Sequence, residues 1–224
     1  MKKALIISVI LHVITIALFG FKRLYYSHRP VAAGPAEWSV TWNAQKNELY
    51  SAIPIDSGDI VFVGDSHIER FLLNDYFPCH HVRNRGIGSN TTDQVIARLP
   101  DILQRHPSKV FVLVGINDLA MRRPVDSTFN NLVRITKMVK SSSATPVVIL
   151  LFPSRGKDAD LNDEALLLNN KLSSFCKENE ITVIDIFNQL ERGGQLNNEL
   201  TSDDTHLNSK GYGILKDSIK KYLD

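Results

Sequence analysis

Cysteine is scarce in this chain. Its 224 residues hold two, Cys79 and Cys176, far apart and without metal-ligand spacing. Each reads as a buried free thiol; a bridge between them requires an oxidising compartment and a fold that brings them together. Charge of one sign is missing too: 26 basic against 24 acidic residues leave a net +2. No polyanion is invited, so no nucleic-acid partner is expected. Arg122-Arg123 and Lys220-Lys221 read as solvated faces. Internal repeats and low-complexity segments are absent. What is present is ordinary for a folded protein, 43% hydrophobic and 22% charged, with room for one α/β domain and a short appendage.

The appendage stands first. Met1-Lys2-Lys3 precedes Ala4 to Phe21, an apolar run with no acidic or basic residue. It falls at the short end for a membrane-spanning helix, where about 20 residues are usual. Lys22-Arg23 and Arg29 separate it from the small residues Ala32-Ala33-Gly34, which speaks against a cleaved signal peptide. Residues 1–26 are therefore expected to be an N-terminal membrane anchor, a single transmembrane helix with its amino terminus inside. Residues 27–36 follow as a linker. Residues 37–224 would form the main domain, on the extracytoplasmic side.

Within that domain, short apolar runs alternate with amphipathic segments. A helix is expected over Glu37 to Tyr50. Ile60-Val61-Phe62-Val63 is a buried strand that stops at Gly64-Asp65-Ser66, and a helix follows from His67 to Tyr76. His81 to Asn84 is a second strand, and Thr92 can cap the helix after it. Lys109 to Val114 is a third strand, followed by a helix capped by Asp126 or Ser127. Val147 to Phe152 is a fourth. Asp160 to Glu180 contains a long helix, Ile181 to Phe187 is a fifth strand, and Asn208 to Leu223 is the closing helix. Strands apolar on both faces predict a mainly parallel five-stranded sheet covered by helices on both sides.

In such sheets, ligand sites lie beyond the carboxyl ends of the strands. Ser66 is placed there, near a helix amino terminus where N–H groups favour negative charge. Gly115-Ile116-Asn117-Asp118 ends the third strand at the same rim. Near the carboxyl end, Asp203-Asp204-Thr205-His206 sets a carboxylate three residues before an imidazole, a spacing at which both can face one way. A serine nucleophile needs a base, a carboxylate that orients the base, and donors for an oxyanion. Ser66, His206 and Asp203 supply nucleophile, base and carboxylate, with Asp204 the runner-up for the last. The Ser66 backbone N–H, the Asn117 amide and a backbone N–H between Gly86 and Ser89 supply the donors.

Two other sites fit less well. Gly86-x-Gly88 lacks the third glycine of a dinucleotide fingerprint, since Thr91 stands in its place. Gly64-Asp65-Ser66-His67-Ile68 lacks the second glycine of the Gly-x-Ser-x-Gly elbow. His67 reads as a helix-start residue, and His80 and His81 point to opposite faces of a strand. Asp65 and Asp118 read as loop-holding carboxylates. Arg155, just past a strand end, could reach the pocket.

Taken in order, Gly64-Asp65-Ser66, Asn84-Arg85-Gly86-Ile87-Gly88, Gly115-x-Asn117-Asp118 and Asp203-x-x-His206 resemble the four blocks of the SGNH (GDSL-type) esterases and lipases. The resemblance implies a flavodoxin-like three-layer α/β/α sandwich. It also implies metal-free and cofactor-free ester hydrolysis, a catalytic Ser66–His206–Asp203 set, and an oxyanion hole from Ser66, Gly86 or Ser89, and Asn117. Family members often carry glycine where this chain has Ser89; if the turn needs positive φ, serine is strained there. Expected partners are a small-molecule, glycan or lipid ester and, through the amino-terminal helix, a membrane. The alternatives are an acyltransferase relative and a non-catalytic glycan- or lipid-binding domain on the same fold.

Overall fold

The computed structural model describes residues 37–223, and Ile14 by itself. The membrane-anchor segment and the linker lie outside the described residues. Among the described residues no helix is long and apolar enough to cross a membrane.

Five strands form one parallel sheet: β1 (Ile60–Gly64), β2 (Val82–Gly86), β3 (Lys109–Leu113), β4 (Thr145–Ile149) and β5 (Thr182–Ile184). Their spatial order is β2-β1-β3-β4-β5. Register pairs Gly64 with both Gly86 and Leu113, so three strands end level. The order reverses around β1, and that switch point opens a crevice at the carboxyl ends. The central strands β1 and β3 are buried on both faces. Val61, Phe62 and Val63 are wholly buried, as are Val110 and Phe111, and Phe62 stacks on Phe111 with ring centroids 4.3 Å apart. Burying each such side chain stabilises the fold by about 1.5–3 kcal/mol relative to exposure.

The larger helices are α1 (Glu37–Ala52), α4 (Thr92–Leu103), α6 (Val125–Ser141), α7 (Asn162–Glu178) and α9 (Ser209–Lys220). Four short ones are α2 (Ser66–Glu69), α3 (Leu73–Tyr76), α5 (Ile116–Ala120) and α8 (Phe187–Leu190). The expected α/β sandwich with a five-stranded parallel sheet is thus the observed architecture.

Several local expectations are corrected. The helix after Ser66 is two short helices. Asn84 Nδ2 donates to the carbonyls of Ile68 (2.6 Å) and Phe71 (2.9 Å), at the turn between the two helices. Phe71 is buried while Leu72 is exposed, so the chain turns there rather than winding on. Thr91, not Thr92, caps α4: its backbone N–H donates to Gln94 Oε1 at 2.8 Å in a capping box. Helix α6 starts at Val125 behind Pro124, so neither Asp126 nor Ser127 is its cap. A 3₁₀ turn, Gly156–Leu161, precedes α7. A small hairpin, β6 (Glu191–Arg192) with β7 (Gln195–Leu196), turns at Gly193-Gly194. Both cysteines are free, but Cys79 is exposed while Cys176 is buried.

Candidate active site

Gly64 ends β1, and Asp65 caps the next helix, its Oδ1 accepting the His67 N–H at 3.0 Å. Ser66 is thereby lifted to the rim, half-buried. Helix α2 lies directly on the end of β2. A Cβ at Gly86 would fall 2.2 Å from the Glu69 backbone nitrogen, so only glycine permits this approach.

From the far end of the chain, the loop before α9 returns to the same place. Asn208 caps α9, accepting from the Lys210 and Gly211 N–H groups. The Asp203–His206 turn ahead of it is closed by the His206 N–H on Asp203 Oδ1 at 2.7 Å. His206 Nδ1 lies 2.8 Å from Asp203 Oδ2, and His206 Nε2 lies 2.8 Å from Ser66 Oγ. Serine, imidazole and carboxylate are therefore in one hydrogen-bonded line. Asp204 is not in it; it pairs with Arg155, Nε to Oδ1 at 3.4 Å. That pair also takes Arg155 away from the pocket.

The electrostatics suit a base that rests neutral. Burial lowers the His206 pKa below its ordinary value, and the Arg70 charge adds to this; the Asp203 hydrogen bond opposes it without winning. For Asp203, partial burial pushes upward, but the backbone and ring hydrogen bonds from His206, its charge and the Arg70 guanidinium hold the carboxyl well below the carboxylate range. An ionised Asp203 then fixes the proton on Nδ1 and leaves the Nε2 lone pair facing Ser66. Because the depressed pKa keeps this lone pair free, the acid limb of kcat/KM is expected to fall through an apparent pKa below 6.5. A pH–rate profile with the limb centred at or above 6.5 would contradict that.

The oxyanion candidates separate. The Gly86 N–H donates to Asn84 Oδ1 at 2.8 Å and is spent. The Gly88 N–H donates to Glu69 Oε2 at 2.9 Å. The N–H groups of Ser66 and Ser89 have no hydrogen-bond acceptor among the described residues. Ser89 has φ +61°, so serine here accepts the left-handed conformation foreseen as strained, at about 1–2 kcal/mol. Gly115, at φ +132°, makes the turn that starts α5 and presents Asn117, whose Nδ2 donates to the Asn90 carbonyl at 3.0 Å. One Nδ2 hydrogen is fixed, which aims the other. Ser66, Ser89, Asn117 and His206 line one cleft of about 430 Å³.

Two supporting residues, Arg70 and Glu69, escaped the sequence reading. Arg70 Nη1 donates to Asp203 Oδ2 at 3.1 Å. Both side chains are about half exposed, so the pair adds little stability; its effect is to tie the Asp203 turn to the end of α2. Glu69 takes the Gly88 N–H and also the Trp42 Nε1–H at 3.0 Å. It thereby joins α1, α2 and the Gly86–Ser89 turn. Its position three residues after Ser66 was the available signal. His67 stands at the start of α2, as expected, and is buried. Its ring packs against Phe152 and lies 5.4 Å from the His206 ring, and burial lowers its pKa to about 3. It backs the base as a neutral ring. Asp65 and Asp118 do hold loops, Asp118 by accepting from Thr92 N–H (2.9 Å) and Oγ1 (2.7 Å). Among the described residues no cluster of three or more His, Cys, Asp or Glu is placed to hold a metal.

A level row of strand ends carrying these blocks defines a parallel α/β enzyme fold with its polar residues at the carboxyl rim. The GDSL-like Lipase/Acylhydrolase family model matches residues 62–214, and the chain belongs to that GDSL/SGNH-type family of ester hydrolases. It is 26% identical over 181 residues to an N-acylneuraminate cytidylyltransferase of Streptococcus agalactiae serotype III (strain NEM316), covering 79% of this chain. It spans only 41% of that relative's length. It is also 26% identical over 168 residues to the platelet-activating factor acetylhydrolase IB subunit alpha2 of Gallus gallus, covering 70% of this chain and 72% of the other. A GDSL-like lipase from Bacteroides thetaiotaomicron VPI-5482 superposes with TM-score 0.74 at 22% identity, over 81% of this chain and 97% of that one.

Proposed function

We propose that the protein is a serine esterase that cleaves acyl esters through an acyl-enzyme on Ser66. The observation that carries this is the unbroken line from Ser66 Oγ through His206 to Asp203, with 2.8 Å at both side-chain contacts. Ser66 Oγ attacks the acyl carbonyl while His206 Nε2 takes its proton. The tetrahedral oxyanion sits against the Ser66 and Ser89 N–H groups and the free Asn117 amide hydrogen. His206 returns the proton to the leaving alcohol, and water then repeats the sequence to release the acid. The Gly86 N–H takes no part, being held by Asn84. Loss of one oxyanion donor typically costs about 10²–10³ in kcat. Asn117→Ala is accordingly expected to lower kcat by about that factor with KM little changed. A variant retaining full kcat would remove Asn117 from the hole.

The cleft suggests the ester. Ile116, Ala120 and Leu161 give it an apolar wall, and Arg70, Asp158 and Thr205 a polar one. A short acyl chain on the first and a polar alcohol on the second fits this division, and acetyl esters are the expected best substrates. We further place residues 1–26 as a membrane anchor holding this domain on the extracytoplasmic side, on the strength of the uncharged Ala4–Phe21 run. The catalytic reading is tested with a fluorophosphonate probe, expected to label the wild-type protein at Ser66 and to leave Ser66→Ala unlabelled. Equal labelling of both overturns it, and a glycan-binding domain without turnover then becomes the better account.

A further inference from the structure

A second cavity, of about 530 Å³, opens between α1 and α4 and holds none of the residues assigned to catalysis. Its wall carries Arg85, Arg98 and Arg105, with Asp101 the one carboxylate, and its apolar surface comes from Ile53, Ile55 and Ile102. Arg85 is 4% exposed. Its guanidinium donates only to backbone carbonyls, those of Asn84 (2.9 Å), Ile53 (3.0 Å) and Pro54 (3.4 Å), and lies 4.9 Å from the Tyr50 ring. Arg98 donates through Nε to Asn90 Oδ1 (3.0 Å) and through Nη2 to the Gly64 carbonyl (3.1 Å), while its Nη1 has no hydrogen-bond partner among the described residues. Neither arginine is ion-paired among the described residues. Buried charges are ordinarily paired, because carbonyl dipoles return only part of the lost hydration. Two guanidinium groups sharing one cavity, neither held in an ion pair and with Asp101 the one carboxylate in the wall, form a receptor for an anion.

We propose that this cavity is a binding site for a small organic anion, its carboxylate or phosphate meeting Arg98 and Arg85 and its apolar part resting on Ile53, Ile55 and Ile102. The site is independent of the hydrolase reading. Burial, reinforced by the Arg85 charge, draws the Arg98 guanidinium down to about 10, so it stays cationic at neutral pH. Arg98 also joins the cavity to the end of β1 through the Gly64 carbonyl. Through Asn90, whose carbonyl holds Asn117, it reaches the rim of the cleft.

The test is calorimetric titration of the full chain with inorganic phosphate, acetate and octanoate at constant ionic strength. Phosphate binding identifies a phosphate head; octanoate binding tighter than acetate identifies an apolar carboxylate. Saturable binding of either is expected. Arg98→Gln is expected to weaken it by about tenfold or more. Ala97→Trp, which fills the cavity from the exposed face of α4 without altering charge, is expected to abolish it. Ala97→Trp keeps the test decisive if Arg98→Gln does not fold. No saturable binding below about 10 mM, or binding undiminished in Ala97→Trp, overturns the proposal.

Discussion

Ser66→Ala is expected to lose about 10⁶ in kcat towards a small aryl acetate, with its thermal midpoint unchanged. On the proposed mechanism the loss is large because Ser66 forms the covalent bond, and without Oγ His206 has no nucleophile to deprotonate. The fold tolerates the change because Oγ has one contact, His206 Nε2 at 2.8 Å, at a half-buried position. A residue of catalysis, about 10³–10⁴ over water, is expected to remain from binding and the oxyanion donors. Turnover within tenfold of wild type would mean that another group attacks the ester.

The next largest effect is expected at Asp203. Asp203→Asn keeps an oxygen for the His206 backbone N–H but turns an amide N–H₂ towards Nδ1. The imidazole then carries its proton on Nε2 and cannot accept the one on Ser66. A loss of about 10⁴ in kcat follows from the wrong tautomer alone. Asp204→Asn is the control: that carboxylate faces Arg155, so its replacement is expected to leave kcat near wild type. Steady-state kinetics on the two variants separate neighbours that sequence spacing left as alternatives. Equal losses in both would show that the Asp203–Asp204 turn, rather than one carboxylate, orients His206.

The sheet was legible because its strands are continuous apolar runs broken by glycine and polar residues. The rim was legible because Gly64-Asp65-Ser66 and Gly115-x-Asn117 end two of those runs. What stayed hidden depends on contacts distant in sequence. Asn84 reaches Ile68 and Phe71 where the helix after Ser66 gives way, and Arg70 meets Asp203 across 133 positions. No periodicity reports either. Other misses were readable. Thr91 and Gln94 have capping-box spacing, and Gly193-Gly194 marks a hairpin turn. Which of Gly86 and Ser89 keeps a free N–H turned on one side chain, Asn84, that occupies the Gly86 N–H.

The Trp42–Glu69 bond is more than local. Helix α1 precedes the first strand, yet it grips the Gly86–Asn90 stretch at three further points, one of them Tyr50 Oη donating to the Gly86 carbonyl at 3.0 Å. Asn43 Nδ2 donates to the Gly88 carbonyl at 3.1 Å, and Asn43 Oδ1 accepts from Asn90. The leading segment thus works as a splint on the catalytic loop. Severing the link at its exposed Asp56–Gly58 turn would spare every strand yet free the splint's connection to the sheet. Catalytic competence could therefore be lost by a single proteolytic nick in a protein whose core remains folded.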